Sequence, residues 1–129
     1  MLFLVMHENE ISYLVRGAIF QVFKKLGPGL LESIYELALE YELRKKGLKV
    51  ERQVFLPILY DEELLGQYRL DLLVEDKVII EVKSVFELSA IHHKQLLTYL
   101  KLSQKKLGIL VNFNEAEIEN GIFRKVMDL

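Results

Sequence analysis

Asp71, Glu81 and Lys83 are the residues of this chain whose types and spacing could do chemistry. Asp71 sits in Tyr68-Arg69-Leu70-Asp71-Leu72-Leu73-Val74; Glu81 and Lys83 sit in Val78-Ile79-Ile80-Glu81-Val82-Lys83. Side chains alternate across a strand. Leu70, Leu72 and Val74 therefore share a face with Val78, Ile80 and Val82 of the next strand, and these six must cover a core. Arg69, Asp71 and Leu73, with Ile79, Glu81 and Lys83, take the other face. A three-residue loop, Glu75-Asp76-Lys77, pairs Val74 with Val78, Asp71 with Glu81 and Arg69 with Lys83. A one-residue slip would mix the two faces. Carboxylates placed opposite each other repel. A divalent cation removes that repulsion, and Mg²⁺ in particular takes one or two carboxylates plus waters and phosphate oxygens. Lys83 beside such an ion could orient a water or stabilise charge on a phosphate. On spacing alone, a half-solvated strand with weak cross-strand charge pairs reads the same way.

Four residues on helices add to this reading. Glu32 opens a helix, where an acid also simply complements the dipole. Gln95 and Tyr99 are four apart, on one helical face. His92, at the start of that helix, reads more simply as a surface residue than as a ligand.

The elements that must position these side chains follow from periodicity. Ile11, Leu14, Val15, Ala18, Val22 and Leu26 recur at helical spacing, predicting a helix from Glu10 to Leu26, which Gly27-Pro28-Gly29 breaks. Leu30, Ile34, Leu37, Ala38 and Tyr41 predict the inward stripe of a second helix that ends at Gly47. Val50–Tyr60, Leu65–Val74 and Val78–Val85 read as strands, with Pro57 placing the far end of the first at an edge or bulge. Ala90–Ser103 returns to helix, with Leu96, Leu97, Tyr99 and Leu100 inward. Leu107–Phe113 is a buried strand, Asn112–Asn120 a loop or short helix, and Ile122–Met127 a final strand. The order α-α-β-β-β-α-β-β predicts an α/β fold with a mixed sheet between helices.

At 129 residues and 15.1 kDa the chain is read as one domain. It has no cysteine, which excludes disulfides, thiolate metal sites and cysteine nucleophiles. The formal net charge of −2 shows no global basic footprint for nucleic acid, although a local cluster can act at a neutral total. No stretch approaches the ~18 apolar residues of a membrane helix. The apolar start is short and lacks a basic leader, so the expectation is a cytoplasmic chain without a signal peptide. Residues 1–7 are expected to be an extended or disordered start, with Met6 an alternative initiator.

Together these residues resemble a known family. Gly29-x-x-Glu32-x-x-Tyr35 matches the signature of the small bacterial GxxExxY proteins of the PD-(D/E)XK nuclease superfamily. The likeness extends through Glu10-Ile11-Ser12, Leu26-Gly27-Pro28-Gly29-Leu30-Leu31-Glu32, the Asp71 strand, Glu81-Val82-Lys83 and Gln95-Leu96-Leu97-Thr98-Tyr99-Leu100. It implies a restriction-endonuclease-like αβββαβ core with a mixed central sheet, preceded by an added N-terminal helix.

The resemblance also implies roles. Asp71 and Glu81 would be acidic metal ligands, the Val82 carbonyl a backbone ligand, and Lys83 the lysine that positions or activates the attacking water. Glu32 would help hold the metal or orient the lysine. Gln95-x-x-x-Tyr99 is similar to the QxxxY motif of RecB-like nucleases, implying contact with the site or with the nucleic-acid backbone; His92 also matches a family position. One departure concerns helix one, where the family's Val-His-Lys segment reads Val22-Phe23-Lys24.

The resulting expectation is a Mg²⁺- or Mn²⁺-dependent nuclease with an Asp71/Glu81/Lys83 active site, acting on DNA more than RNA. Lys24, Lys25, Arg69, Lys94 and Lys101 are the candidate phosphate contacts. The alternative is a catalytically inactive nucleic-acid-binding or protein-interaction module on the same fold, and a third reading is a structural homodimer. A homodimer or a protein partner could also supply specificity to an active enzyme.

Overall fold

The computed structural model describes residues 5–129. The expected apolar start therefore lies largely outside the described residues. Within them, Met6 packs against the core, and its carbonyl accepts from Lys77 Nζ at 2.7 Å. The elements are α1 (Glu8–Leu26), α2 (Glu32–Lys45), β1 (Val50–Tyr60), β2 (Glu63–Val74), β3 (Val78–Lys83), α3 (Ala90–Ser103), β4 (Leu107–Asn112), a 3₁₀ turn (Ile118–Gly121) and β5 (Ile122–Val126). One mixed sheet runs in the order β1-β2-β3-β4-β5. Among the described residues only β3 and β4 pair in parallel, and α3 provides the crossover that a parallel pair needs.

Helices cover both sheet faces. Tyr35, Leu39 and Leu43 of α2 join Ile11, Val15, Ala18, Ile19 and Val22 of α1 over Leu72, Val74, Val78, Ile80 and Val82. Leu96, Tyr99 and Leu100 of α3 pack on Leu70, Leu73, Ile79 and Leu110 on the other side. The face carrying Leu73 and Ile79 is thus buried as well.

Gly27 and Gly29 take positive φ (67° and 99°), which suits glycine and stops α1. Tyr35 then pins this loop to α2. Its hydroxyl donates to the Gly27 carbonyl at 2.6 Å and accepts from Leu30 N–H at 3.1 Å. Its ring stacks on Phe113 with centroids 4.2 Å apart.

Two expectations need correction. The inward face of α2 is Tyr35, Glu36, Leu39, Glu42 and Leu43. Of the expected stripe, Ala38 packs partly buried against the core, while Leu30, Ile34, Leu37 and Tyr41 are exposed. The inward face has an apolar stripe of its own, Tyr35, Leu39 and Leu43, and its two buried acids have partners: Glu42 takes Lys25 of α1 at 2.7 Å, and Glu36 takes Gln53 of β1 at 2.8 Å. A paired charge can be buried where an unpaired one cannot. Counting apolar residues alone misses that.

The second correction concerns the faces of the β1–β2 hairpin. Leu72 and Val74 lie on the α1–α2 side, yet Leu70 lies on the α3 side. On β1, the sequence neighbours Arg52 and Gln53 both reach Glu36, which strict alternation forbids. Gln53 has φ 54°, and both it and Asp71 fall unpaired between the rungs Arg52↔Leu72 and Val54↔Leu70. The hairpin turns over here. Beyond it the even-numbered residues face α3, so Leu70 leaves the predicted face and Arg69 turns away from Lys83.

Candidate active site

The β2–β3 ladder runs only over Val74↔Val78, Leu73↔Ile79 and Leu72↔Ile80. The next rung brings Asp71 and Glu81 together, as the three-residue loop predicts, but here the strands part and side chains replace the ladder. Asp71 Oδ2 accepts from Val82 N–H at 2.8 Å, and Glu81 Oε1 accepts from Asp71 N–H at 3.3 Å. The two carboxyl groups are thereby held together where the strands part.

Glu81 is 6% exposed. Burial, then the Asp71 carboxylate beside it, push its carboxyl well above the usual carboxylate range; Lys83 opposes this. Glu81 thus holds a proton more tightly in the folded chain than in the unfolded one. That contribution to stability is complete below the ordinary carboxylate range and is lost as pH rises through the raised value. In EDTA, wild type should lose stability relative to Glu81→Gln as pH rises above the ordinary carboxylate range, read from urea midpoints. Parallel curves would contradict the proton-holding pair.

In an extended strand a residue's N–H and C=O point to the same side. Val82 N–H turns toward Asp71, so the Val82 carbonyl points to the same side of β3, where β2 has parted. Lys83 faces β4 with its backbone, where its carbonyl accepts from Phe113 N–H at 2.9 Å. The Lys83 side chain is half-buried and makes no salt bridge among the described residues.

Glu32 stands at the first turn of α2, and its Oε1 accepts from Ser84 N–H at 3.3 Å. This brings Glu32 to the end of β3, next to Lys83. An open cleft lined by Leu30, Leu31, Glu32, Ser33 and Ser84 adjoins it. Tyr99 of α3 approaches from the other face. Burial, then the charge of Glu81, the neighbouring Tyr68 and the charge of Asp71, push its phenol up to about 12, with Gln95 acting the other way. Tyr99 remains a neutral donor beside the acids at neutral pH. His92 takes the simpler role, its Nδ1 accepting from Ser89 N–H at 3.1 Å as a helix cap. Phe23 is a packing position against the core.

Glu36 and Gln53 escape a reading of the sequence. Glu36 lies one turn after Glu32, and the Asp71 carboxylate contributes to its raised pKa after burial. It receives Gln53 Nε2, and Arg52 Nε lies 3.6 Å away without a hydrogen-bond partner. Glu36 therefore ties α2 to the point where the hairpin turns over beside Asp71. Glu36→Ala leaves both β1 side chains without it and should cost about 1–3 kcal/mol of stability in urea unfolding, with Glu36→Gln milder because it keeps the Gln53 bond. The available signal was the four-residue spacing of Glu32 and Glu36.

Among the described residues no three His, Asp or Glu side chains converge to hold a metal ion. The donors that do meet are the Asp71 and Glu81 carboxylates, with the Val82 carbonyl on the same side of β3. That set fits a hard cation which keeps several of its waters, as Mg²⁺ does.

A family model described as the PD-(D/E)XK nuclease superfamily matches residues 9–125, and the chain belongs to that superfamily. The mixed five-stranded sheet with helices on both faces and α1 in front agrees with its restriction-endonuclease-like fold. No curated protein and no solved structure matches the chain. No described helix is long and apolar enough to cross a membrane.

Proposed function

We propose that this protein is a divalent-metal-dependent nuclease that hydrolyses phosphodiester bonds, DNA more than RNA, and that it is a GxxExxY member of its superfamily. The observation that carries the reading is the Asp71–Glu81 pair at the point where β2 and β3 part, with Lys83 two residues beyond Glu81. Asp71, Glu81 and the Val82 carbonyl would hold Mg²⁺ or Mn²⁺, with Glu32 adjoining from α2. The cation, when bound, supplies Lewis-acid polarisation and a more acidic water. Lys83 holds the attacking water and faces the growing charge on the phosphate. Gln95 and Tyr99 donate hydrogen bonds from α3 to the substrate backbone or to the acids.

Calorimetric titration with Mn²⁺ tests this reading against a scaffold that has lost its chemistry. Saturable binding to wild type that is lost in Glu81→Gln supports the nuclease reading. Equal heats for the two proteins would favour a non-catalytic module, the reading that the slight net negative charge suits.

A further inference from the structure

α2 shows the solvent an apolar seam. Ile34, Leu37 and Tyr41 follow one another at three- and four-residue steps, and Leu30 continues the row just ahead of the first turn. All four are exposed, Tyr41 at 65%, and Leu31 beside them at 74%. With Leu26 at the end of α1, their exposed area is on the order of 600 Å², at the top of the range for the largest apolar patch on a typical monomer. A stable specific interface takes about 800 Å² from each partner, so this seam supplies most of one.

The seam is complementary to itself. A second copy of α2, turned about a two-fold axis midway between Ile34 and Leu37, sets Ile34 level with the partner's Leu37 and Leu30 level with the partner's Tyr41. The layers that result have the spacing of a short antiparallel coiled coil. Leu31 lies seven residues before Ala38, on the same flank of the helix. On that flank it comes level with the partner's Ala38 and Tyr41. There an apolar hollow of about 200 Å³ opens between α2 and α1, its walls including Val22, Leu26, Ala38 and Tyr41. The charges agree as well. The two helix dipoles run in opposite directions, and Glu40 comes level with the first turn of the partner helix, which has no side-chain cap.

We propose that this chain forms a homodimer in which α2 packs antiparallel on α2 of a second copy, with Leu31 of each seated in the α1–α2 hollow of the other. The pairing is independent of the nuclease reading. It sets the partner's Tyr41 against Leu30, at the rim of the cleft beside Glu32, so that each candidate site is bordered by both copies.

The test is sedimentation equilibrium of the full chain over roughly 1–100 μM. The expected result is a monomer–dimer equilibrium with dimer predominant at the upper end. Leu37→Glu, which sets like charges near the axis, should weaken it at least about 30-fold. Leu65→Glu, on the exposed part of the β1–β2 hairpin, should leave it unchanged. The chain has no cysteine, so introduced ones report the register. Oxidising an equimolar mixture of Ile34→Cys and Leu37→Cys should give the mixed disulfide, identified by mass. Tyr41→Cys alone should not cross-link, because the two-fold puts its two copies about 16 Å apart along the helix axis, beyond the ~7 Å Cα separation that a disulfide spans. If Leu37→Glu fails to fold by circular dichroism, Ile34→Glu carries the test. A monomer at every concentration, a dimer indifferent to the seam variant or broken by Leu65→Glu instead, or cross-linking of Tyr41→Cys with itself would each overturn the proposal.

Discussion

Lys83→Ala is expected to lower phosphodiester cleavage by roughly 10²- to 10⁴-fold while leaving the fold and the cation affinity in place. Lys83 ends β3, and what holds it there is backbone, through the bond from Phe113 N–H. Its side chain has no salt-bridge partner among the described residues, so truncation leaves no buried charge unpaired. What disappears is an ammonium near the acid pair, one of the two influences that draw the Glu81 carboxyl back toward its usual range. Single-turnover rates with wild type and variant, both checked by circular dichroism and Mn²⁺ titration, give the comparison. Lys83→Arg should recover only part of the loss, because a planar guanidinium does not replace a compact ammonium. A variant that has also lost Mn²⁺ binding would assign Lys83 to building the site instead.

Asp71→Asn should separate stability from activity in opposite directions. Cation binding and cleavage should both fall away, since one of two carboxylate donors is gone. Without metal the variant should be more stable than wild type near pH 8, by up to about 1 kcal/mol. The amide oxygen can keep the bond from Val82 N–H, and the new amide N–H can donate to Glu81, where wild type sets two acids against each other. Urea unfolding in EDTA measures the difference. An Asp71→Asn protein clearly less stable than wild type would contradict the opposed pair.

Much of this site was legible in the sequence because it depends on local alternation and loop length. Glu75-Asp76-Lys77 forms the loop, Val74 pairs with Val78, and Asp71 arrives beside Glu81. The boundaries of β1 and α3 follow the predicted spans for the same reason. What was not legible depends on partners distant in sequence. The inward face of α2 carries Glu36 and Glu42 beside Tyr35, Leu39 and Leu43, and those acids are tolerated there by Gln53 and Lys25, which lie far off in sequence. The turning over of the hairpin rests on a positive φ at Gln53, a residue type that does not advertise it. That single irregularity moves Leu70 and Arg69 to unexpected faces. It also makes Glu36, which no motif marks, a neighbour of the site.

The most direct test of the Asp71–Glu81–Lys83 site is a paired cleavage assay. Wild type and Lys83→Ala, purified identically, are incubated with single-stranded DNA, duplex DNA and RNA in Mg²⁺, Mn²⁺ or EDTA. Cleavage by wild type that requires the cation and vanishes in Lys83→Ala is the predicted result. No cleavage under any condition, or equal cleavage by both proteins, would contradict it.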